Sequence, residues 1–139
     1  MDPLSLANNT AYSGLFAQSL RMKVVAQNIA NAESTGTNPG DDPYRRRTVT
    51  FTDAMNGMAA GGSRVKADVG YDMSGFGSDF MPSHQAADGK GYVKTPNVNI
   101  IVEMTDMRQA LRSYEANLQV IKQGREMANS LIDLLKSNG

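Results

Sequence analysis

Residues 97–136, NVNIIVEMTDMRQALRSYEANLQVIKQGREMANSLIDLLK, decide the fold. The stretch holds no proline. Its apolar residues recur at alternating steps of three and four: Met104, Met107, Leu111, Tyr114, Leu118, Ile121, Ala128, Ile132 and Leu135. Only Arg125 interrupts the series. A spacing near 3.5 keeps one seam of a helix turned toward a partner along its whole length. At the α-helical rise the repeat from Met104 to Leu135 is roughly 50 Å long. A chain of 139 residues cannot wrap a globular core around such a rod, so the rod needs a partner of similar length.

The N-terminal segment, Asp2 to Asn31, supplies that partner. Asp2 suits the cap of a first turn and Pro3 its first helical position. A repeat of four and three runs through Leu4, Asn8, Ala11, Leu15, Gln18, Met22, Val25 and Ile29. Asn8 and Gln18 are polar seam positions, which set register at a cost in stability. The expected fold is mainly α with a small β-rich insert, the long N- and C-terminal helices forming an antiparallel coiled coil. Leu15, Met22, Val25 and Ile29 then pack against Leu111, Leu118, Ile121 and Ile132. Tyr12, Phe16, Leu20 and Val24 form a second apolar stripe on the first helix. A helix apolar on two sides must be covered on two sides. Either residues 35–96 fold over the stripe or another protein molecule does.

The chain therefore divides into helix 1–34, insert 35–96 and helix 97–139. Ala32 to Pro43 is turn chemistry, with Gly36 suited to ending a helix. Tyr44 to Phe51 reads as a strand rich in β-formers, and Arg64 to Met73 as a second. Thr52 to Gly62 is short and rich in methionine and glycine, and Ser74 to Ser83 is loop-like. Asp88 to Gly91 is a turn into Tyr92-Val93, a third strand that Pro96 stops. Arg45-Arg46-Arg47 is the only basic cluster. Its plainest reading is a solvated strand and loop, followed by a contact to acidic groups of a neighbour, with nucleic acid a distant third.

Composition excludes several classes. Lys plus Arg and Asp plus Glu number 14 each, so no net charge favours nucleic acid or an anionic membrane. There is no cysteine and one histidine, His84, so no thiolate chemistry and no histidine cluster for zinc. His84 reads as a surface residue. No apolar run reaches the ~20 residues of a membrane span. The opening MDPLSLANN lacks the basic segment of a cleavable secretory signal. Ser13-Gly14-Leu15 lies in a helical pattern rather than at a nucleophile elbow. Gly36 and Gly40 form no phosphate loop. Glu33, Asp41, Asp42, Asp79 and Asp88 sit in polar loops with nothing to raise a carboxyl pKa. The expectation is no catalytic residue, no cofactor and no metal.

Ser13-Gly14-Leu15, Ala17-Gln18, Arg21 and Asn28-Ile29-Ala30-Asn31 resemble the N-terminal signature of the bacterial flagellar rod and hook axial proteins. Pro43-Tyr44-Arg45-Arg46, Gly91-Tyr92-Val93, Pro96-Asn97-Val98-Asn99, Glu103-Met104 and Ser113-Tyr114-Glu115-Ala116-Asn117 narrow the resemblance to proximal-rod members. Gln85 departs from the pattern, which usually has proline there. The resemblance implies a structural subunit of a hollow rod in the periplasm, part of a drive shaft that transmits torque and encloses an export channel. It implies export by the flagellar type III apparatus without signal cleavage. Implied partners are other rod proteins, the membrane-embedded ring protein and the export gate, in a hetero-oligomeric helical assembly without nucleic acid or a membrane span. Subunit contacts would fall on Tyr12, Phe16, Leu20, Val24, Asn28, Asn31, Arg45, Arg46 and Asn117. The alternative is a cytoplasmic helical adaptor or export chaperone that binds partner helices.

Overall fold

The computed structural model describes residues 3–54 and 64–137. Asp2, the expected cap, and most of the methionine- and glycine-rich stretch lie outside the described residues. Helix α1 spans Pro3–Ala30 and helix α2 spans Ile100–Ser137, 28 and 38 residues long. Between them lie two antiparallel hairpins. Strand β1 (Arg47–Ala54) pairs with β2 (Arg64–Tyr71), Arg47 opposite Tyr71 and Ala54 opposite Arg64. Strand β3 (Gly77–Phe80) pairs with β4 (Tyr92–Thr95), Gly77 opposite Thr95 and Phe80 opposite Tyr92.

The helix ends follow from local chemistry. Asn99 caps α2: its Oδ1 accepts from the backbone N–H of Ile101 at 3.0 Å and of Val102 at 3.3 Å. At the end of α1 the Gln27 carbonyl accepts both the Asn31 side-chain amide at 2.8 Å and the Asn31 backbone N–H at 3.1 Å. Contacts between the helices run in opposite chain order. Asn8 meets Gly124, Gly14 meets Asn117, and Asn28 meets Glu103. Extending that order brings Pro3 level with about residue 128. Residues 129–137 of α2 then project roughly 13 Å beyond α1, with no helix beside them among the described residues.

The β1–β2 hairpin packs on α1, and the Val65 N–H donates to Ser13 Oγ at 3.2 Å. The β3–β4 hairpin packs on neither helix. It is anchored to the loops by Lys94, whose Nζ lies 3.0 Å from Asp42 Oδ1. Pro43, Ala86, Val93 and Pro96 are its buried residues and those of the adjoining loops.

Strand β1 begins at Arg47 rather than Tyr44, because Tyr44 and Arg46 are drawn toward the helices by contacts described below. Strand β3, read from sequence as loop, is exposed at all four positions, so it shows no alternation. Its pairing depends on the turn that follows it. The Asp88 carboxylate accepts from the backbone N–H of Tyr92 at 2.9 Å and of Lys90 at 2.8 Å. Those bonds, Tyr92 first, hold its pKa below the ordinary 3.8. A depressed carboxyl pKa stabilises the fold above its unfolded value, and that stability is lost as pH falls through the folded value. Asp88→Ala should therefore lower the melting temperature at neutral pH and flatten its decline under acid. Faster hydrogen exchange at the Lys90 and Tyr92 amides would report the same loss. Unchanged exchange there would show that the turn stands without the carboxylate.

Candidate assembly interface

Six polar side chains, those of Asn28, Tyr44, Arg46, Asp72, Asn97 and Glu103, come together from four parts of the chain. Glu103 and Asn28 are both wholly buried. Asn28 Nδ2 donates to Glu103 Oε2 at 3.0 Å and to the Arg47 carbonyl at 2.8 Å. Asn28 Oδ1 accepts from the Tyr44 hydroxyl and the Arg47 N–H, each at 2.9 Å. Arg46 Nε donates to Glu103 Oε1 at 2.5 Å, and Arg46 Nη1 lies 3.6 Å from Asp72 Oδ2. Asn97 Oδ1 accepts from the Arg46 N–H at 2.8 Å, while its amide donates to the Asp72 carbonyl at 3.1 Å. This clasp ties α1, the segment before β1, the end of β2 and the start of α2 together. Burial pushes the Tyr44 phenol pKa up. The Asp72 carboxylate is held below its ordinary range by the backbone N–H of Ser74 first, then by the Ser74 hydroxyl, with Arg46 a smaller cause.

The seam between the helices has the expected period in a different phase. Buried or half-buried α2 residues are Glu103, Asp106, Met107, Ala110, Ser113, Tyr114, Asn117, Ile121, Gly124 and Ala128. Met107, Tyr114 and Ile121 lie where the periodicity puts them. At the alternate positions, however, Glu103, Ala110, Asn117 and Gly124 face α1 in place of Met104, Leu111, Leu118 and Arg125. Close approach is the reason. A Cβ on Gly14 would lie 2.8 Å from Asn117 Nδ2, and one on Gly124 would lie 2.6 Å from Asn8 Oδ1. Helices so near one another admit only small side chains and the flat amides between them. On α1, Ala11, Ala17, Val24, Val25 and Asn28 are buried, and Leu15, Met22 and Ile29 are half-buried. Met104, Leu111, Leu118, Ile132 and Leu135, expected in the seam, are exposed.

The expected subunit contacts divide. Phe16 is 72% exposed and Tyr12 is exposed, its hydroxyl accepting from Arg125 Nη2 at 3.0 Å. Leu20 is half-buried, and Val24 and Asn28 lie inside the subunit. Residues four apart precess by about 40° per step around an α-helix. The stripe therefore winds from open surface at Phe16 to burial at Val24. Asn31 serves the helix end and Asn117 faces Gly14. Arg46 belongs to the clasp. Arg45 Nη1 donates to the Asp72 carbonyl at 2.9 Å, and its guanidinium stacks 4.2 Å from the Phe76 ring centroid. Asn28, Asn31, Arg45, Arg46, Asn117 and Val24 thus make their contacts within this chain.

Tyr44, Asp72, Asn97 and Glu103 are the clasp residues that sequence reading passed over as site residues. The signal for Glu103 was a lone carboxylate at a 3.5-residue position, in a chain whose one basic cluster needs a partner. Elsewhere, His84 is half-buried: its Nδ1 accepts from the Ala86 N–H at 3.0 Å, and its Nε2 lies 3.3 Å from Thr35 Oγ1. Hydrogen bonds from Asn38 hold Asp41 ionised, its pKa lowered like that of Asp88, the reverse of what a general acid needs.

Two family models match the helical ends. Residues 9–36 match "Flagella basal body rod protein" and residues 90–134 match "Flagellar basal body rod FlgEFG protein C-terminal". The chain is 53% identical to the flagellar basal-body rod protein FlgC of Agrobacterium fabrum, covering 99% of both chains. It is 42% identical to the Salmonella typhimurium protein of the same name, over 84% of this chain and 87% of that one. It is 37% identical to the Borreliella burgdorferi protein of that name, over 92% and 95%.

Proposed function

The chain belongs to the FlgC family of flagellar basal-body rod proteins, and from that premise we propose how it builds a rod. It is a structural subunit of the flagellar basal body. Segments 1–34 and 97–139 form an antiparallel coiled-coil axial domain of the proximal rod, and the insert 35–96 braces it. Its neighbours are other rod proteins and the membrane-embedded ring protein. It reaches the periplasm through the flagellar type III export gate, without a cleaved signal, and the assembled rod carries torque and encloses the channel. Among the described residues no helix is long and apolar enough to cross a membrane.

One observation carries this reading: the apolar surface that the chain leaves bare. Phe16 on α1 and Ile101, Met104 and Leu111 on α2 are all exposed. Large apolar side chains left bare along both helices support a contact with other proteins. Phe16 touches no partner that its burial would explain, so Phe16→Glu should leave the melting temperature of the free chain unchanged. In a strain carrying it as the only copy, rods should be absent and swimming lost. Normal swimming would remove Phe16 from the interface. A cytoplasmic adaptor would instead act without entering the rod, and the relatives give that reading no support.

A further inference from the structure

We propose that the outer edge of strand β1 is a docking groove for an extended, acidic peptide segment of another protein, which adds a third strand to the β1–β2 hairpin. The inference does not depend on the rod-subunit reading. The register decides which backbone groups are open. The Asp72 N–H donates to the Arg46 carbonyl at 2.9 Å, so these two residues form a hydrogen-bonded pair that extends the ladder. Every second residue on from Arg46 then turns its N–H and C=O toward β2, while Arg47, Val49 and Phe51 turn theirs to the outer edge. Strand β2 obeys the same parity: the Val65 N–H points away from β1, to Ser13. On β1 the first outward rung is filled. Asn28 Nδ2 donates to the Arg47 carbonyl and Asn28 Oδ1 accepts from the Arg47 N–H, the exchange that a residue of a neighbouring strand makes. The next rungs, at Val49 and Phe51, have no partner on that side among the described residues. An edge with open N–H and C=O groups is a template for another strand.

The space beside that edge has the size and charge for such an occupant. A cavity of about 320 Å³ lies between β1 and the helix pair, with Val49 and Phe51 on one wall and Val24 and Val25 on another. Ligand clefts run from roughly 300 to 1,000 Å³. Three guanidinium groups and two carboxylates also line it. Arg21 is paired with Asp106, and Arg46 with Glu103. Arg47 meets no carboxylate among the described residues. Its Nη1 donates to the neutral Gln27 side chain at 2.8 Å, and its buried Nε has no acceptor. The cavity wall therefore holds one uncompensated positive charge, one rung before the open part of the edge. A strand laid beside Val49 and Phe51 starts next to Asn28, and its first side chain lies diagonal to Arg47, within reach of a long side chain. A carboxylate there completes the third ion pair. The side chain two residues further on falls on the same face, beside Phe51, where an apolar group suits the wall. The segment recognised is thus extended, with an acidic residue two positions from a β-branched apolar one.

The test titrates the isotope-labelled full chain with two capped peptides, Glu-Thr-Val-Thr-Val and its reversal, one for each strand direction. One of them should shift the Val49 and Phe51 amide resonances saturably and slow their hydrogen exchange. The Val65 amide, already held by Ser13, should not respond. Replacing the peptide's glutamate by lysine should weaken binding by about tenfold or more, a comparison that leaves the protein untouched. Arg47→Gln should weaken the glutamate peptide by a similar factor and leave the lysine peptide unaffected, because the clasp uses only the Arg47 backbone. Val49→Pro removes an outward N–H without breaking the β1–β2 ladder and should abolish binding, with the melting temperature checking that the hairpin stands. Val49 and Phe51 amides that are fully protected in the free chain, or that respond to neither peptide, would overturn the open edge. Equal binding of the glutamate and lysine peptides would overturn the role of Arg47. Protection of those amides by an unlabelled second copy alone would assign the groove to this chain itself and refute the acidic peptide.

Discussion

Arg46→Met should cost the chain about 3–5 kcal/mol of stability, measured by urea unfolding, because it leaves the Glu103 carboxylate buried without its cation. Glu103 is fully enclosed, and its two oxygens are taken by the Arg46 guanidinium and the Asn28 amide. Removing Arg46 leaves only a neutral donor to compensate a full charge in a poorly solvated place. The penalty is one of exposure to the wrong environment, so it should be reversible by removing the charge as well. Arg46→Met with Glu103→Met replaces the pair by apolar side chains of similar length and should recover most of the loss. Single and double variants that unfold at the same midpoint would mean that Arg46 contributes through packing. A loss under about 1 kcal/mol would place the carboxylate in solvent.

Gly14→Val should be the second most damaging change, at about 1–3 kcal/mol. The first side-chain carbon would sit 2.8 Å from the Asn117 amide, and the two methyls beyond it have nowhere to go between the helices. Asn117 must swing out or α2 must move away, and movement of α2 also loosens the Asn8–Gly124 contact. Asn117→Gly placed in the same chain should return part of the stability by opening the space. Gly89→Ala is the matched control, since a Cβ at Gly89 meets nothing within 4 Å. Equal effects at Gly14 and Gly89 would show that the helices do not approach closely.

The two predictions expose what hydrophobic periodicity reads and what it misses. The repeat of three and four was legible because Met107, Tyr114 and Ile121 sit in the seam and mark its period. The phase was not legible at the alternate positions, where Ala110, Asn117 and Gly124 carry little hydrophobic signal. Their larger neighbours Leu111 and Leu118 carry more, yet they serve the outer surface. A pattern of leucines marks where apolar contact is made, and it does not say whether the partner is the same chain. The first pair of strands was legible from β-branched residues such as Val49 and Val65. Strand β3 was not, because Gly77, Ser78 and Asp79 hold their place through pairing and a turn. Asn28 lay off the apolar repeat, which favoured a surface reading. Its burial depends on Tyr44, Arg47 and Glu103 arriving from elsewhere in the chain, which no local pattern reports.

The clasp also divides the molecule by stiffness. Arg46 is joined to α2 through Glu103 and to the end of β2 through Asp72, and Asn28 holds the same strand to α1. A sideways load on the β1–β2 hairpin therefore passes into both helices through short charged and amide bonds, without first drawing loop backbone taut. The β3–β4 hairpin packs on neither helix and is held to the neighbouring loops by buried Val93, an exposed lysine–aspartate pair and its own turn. In a rod subunit so built, a load on the first hairpin reaches both helices directly, whereas a load on the second reaches them only through the loops.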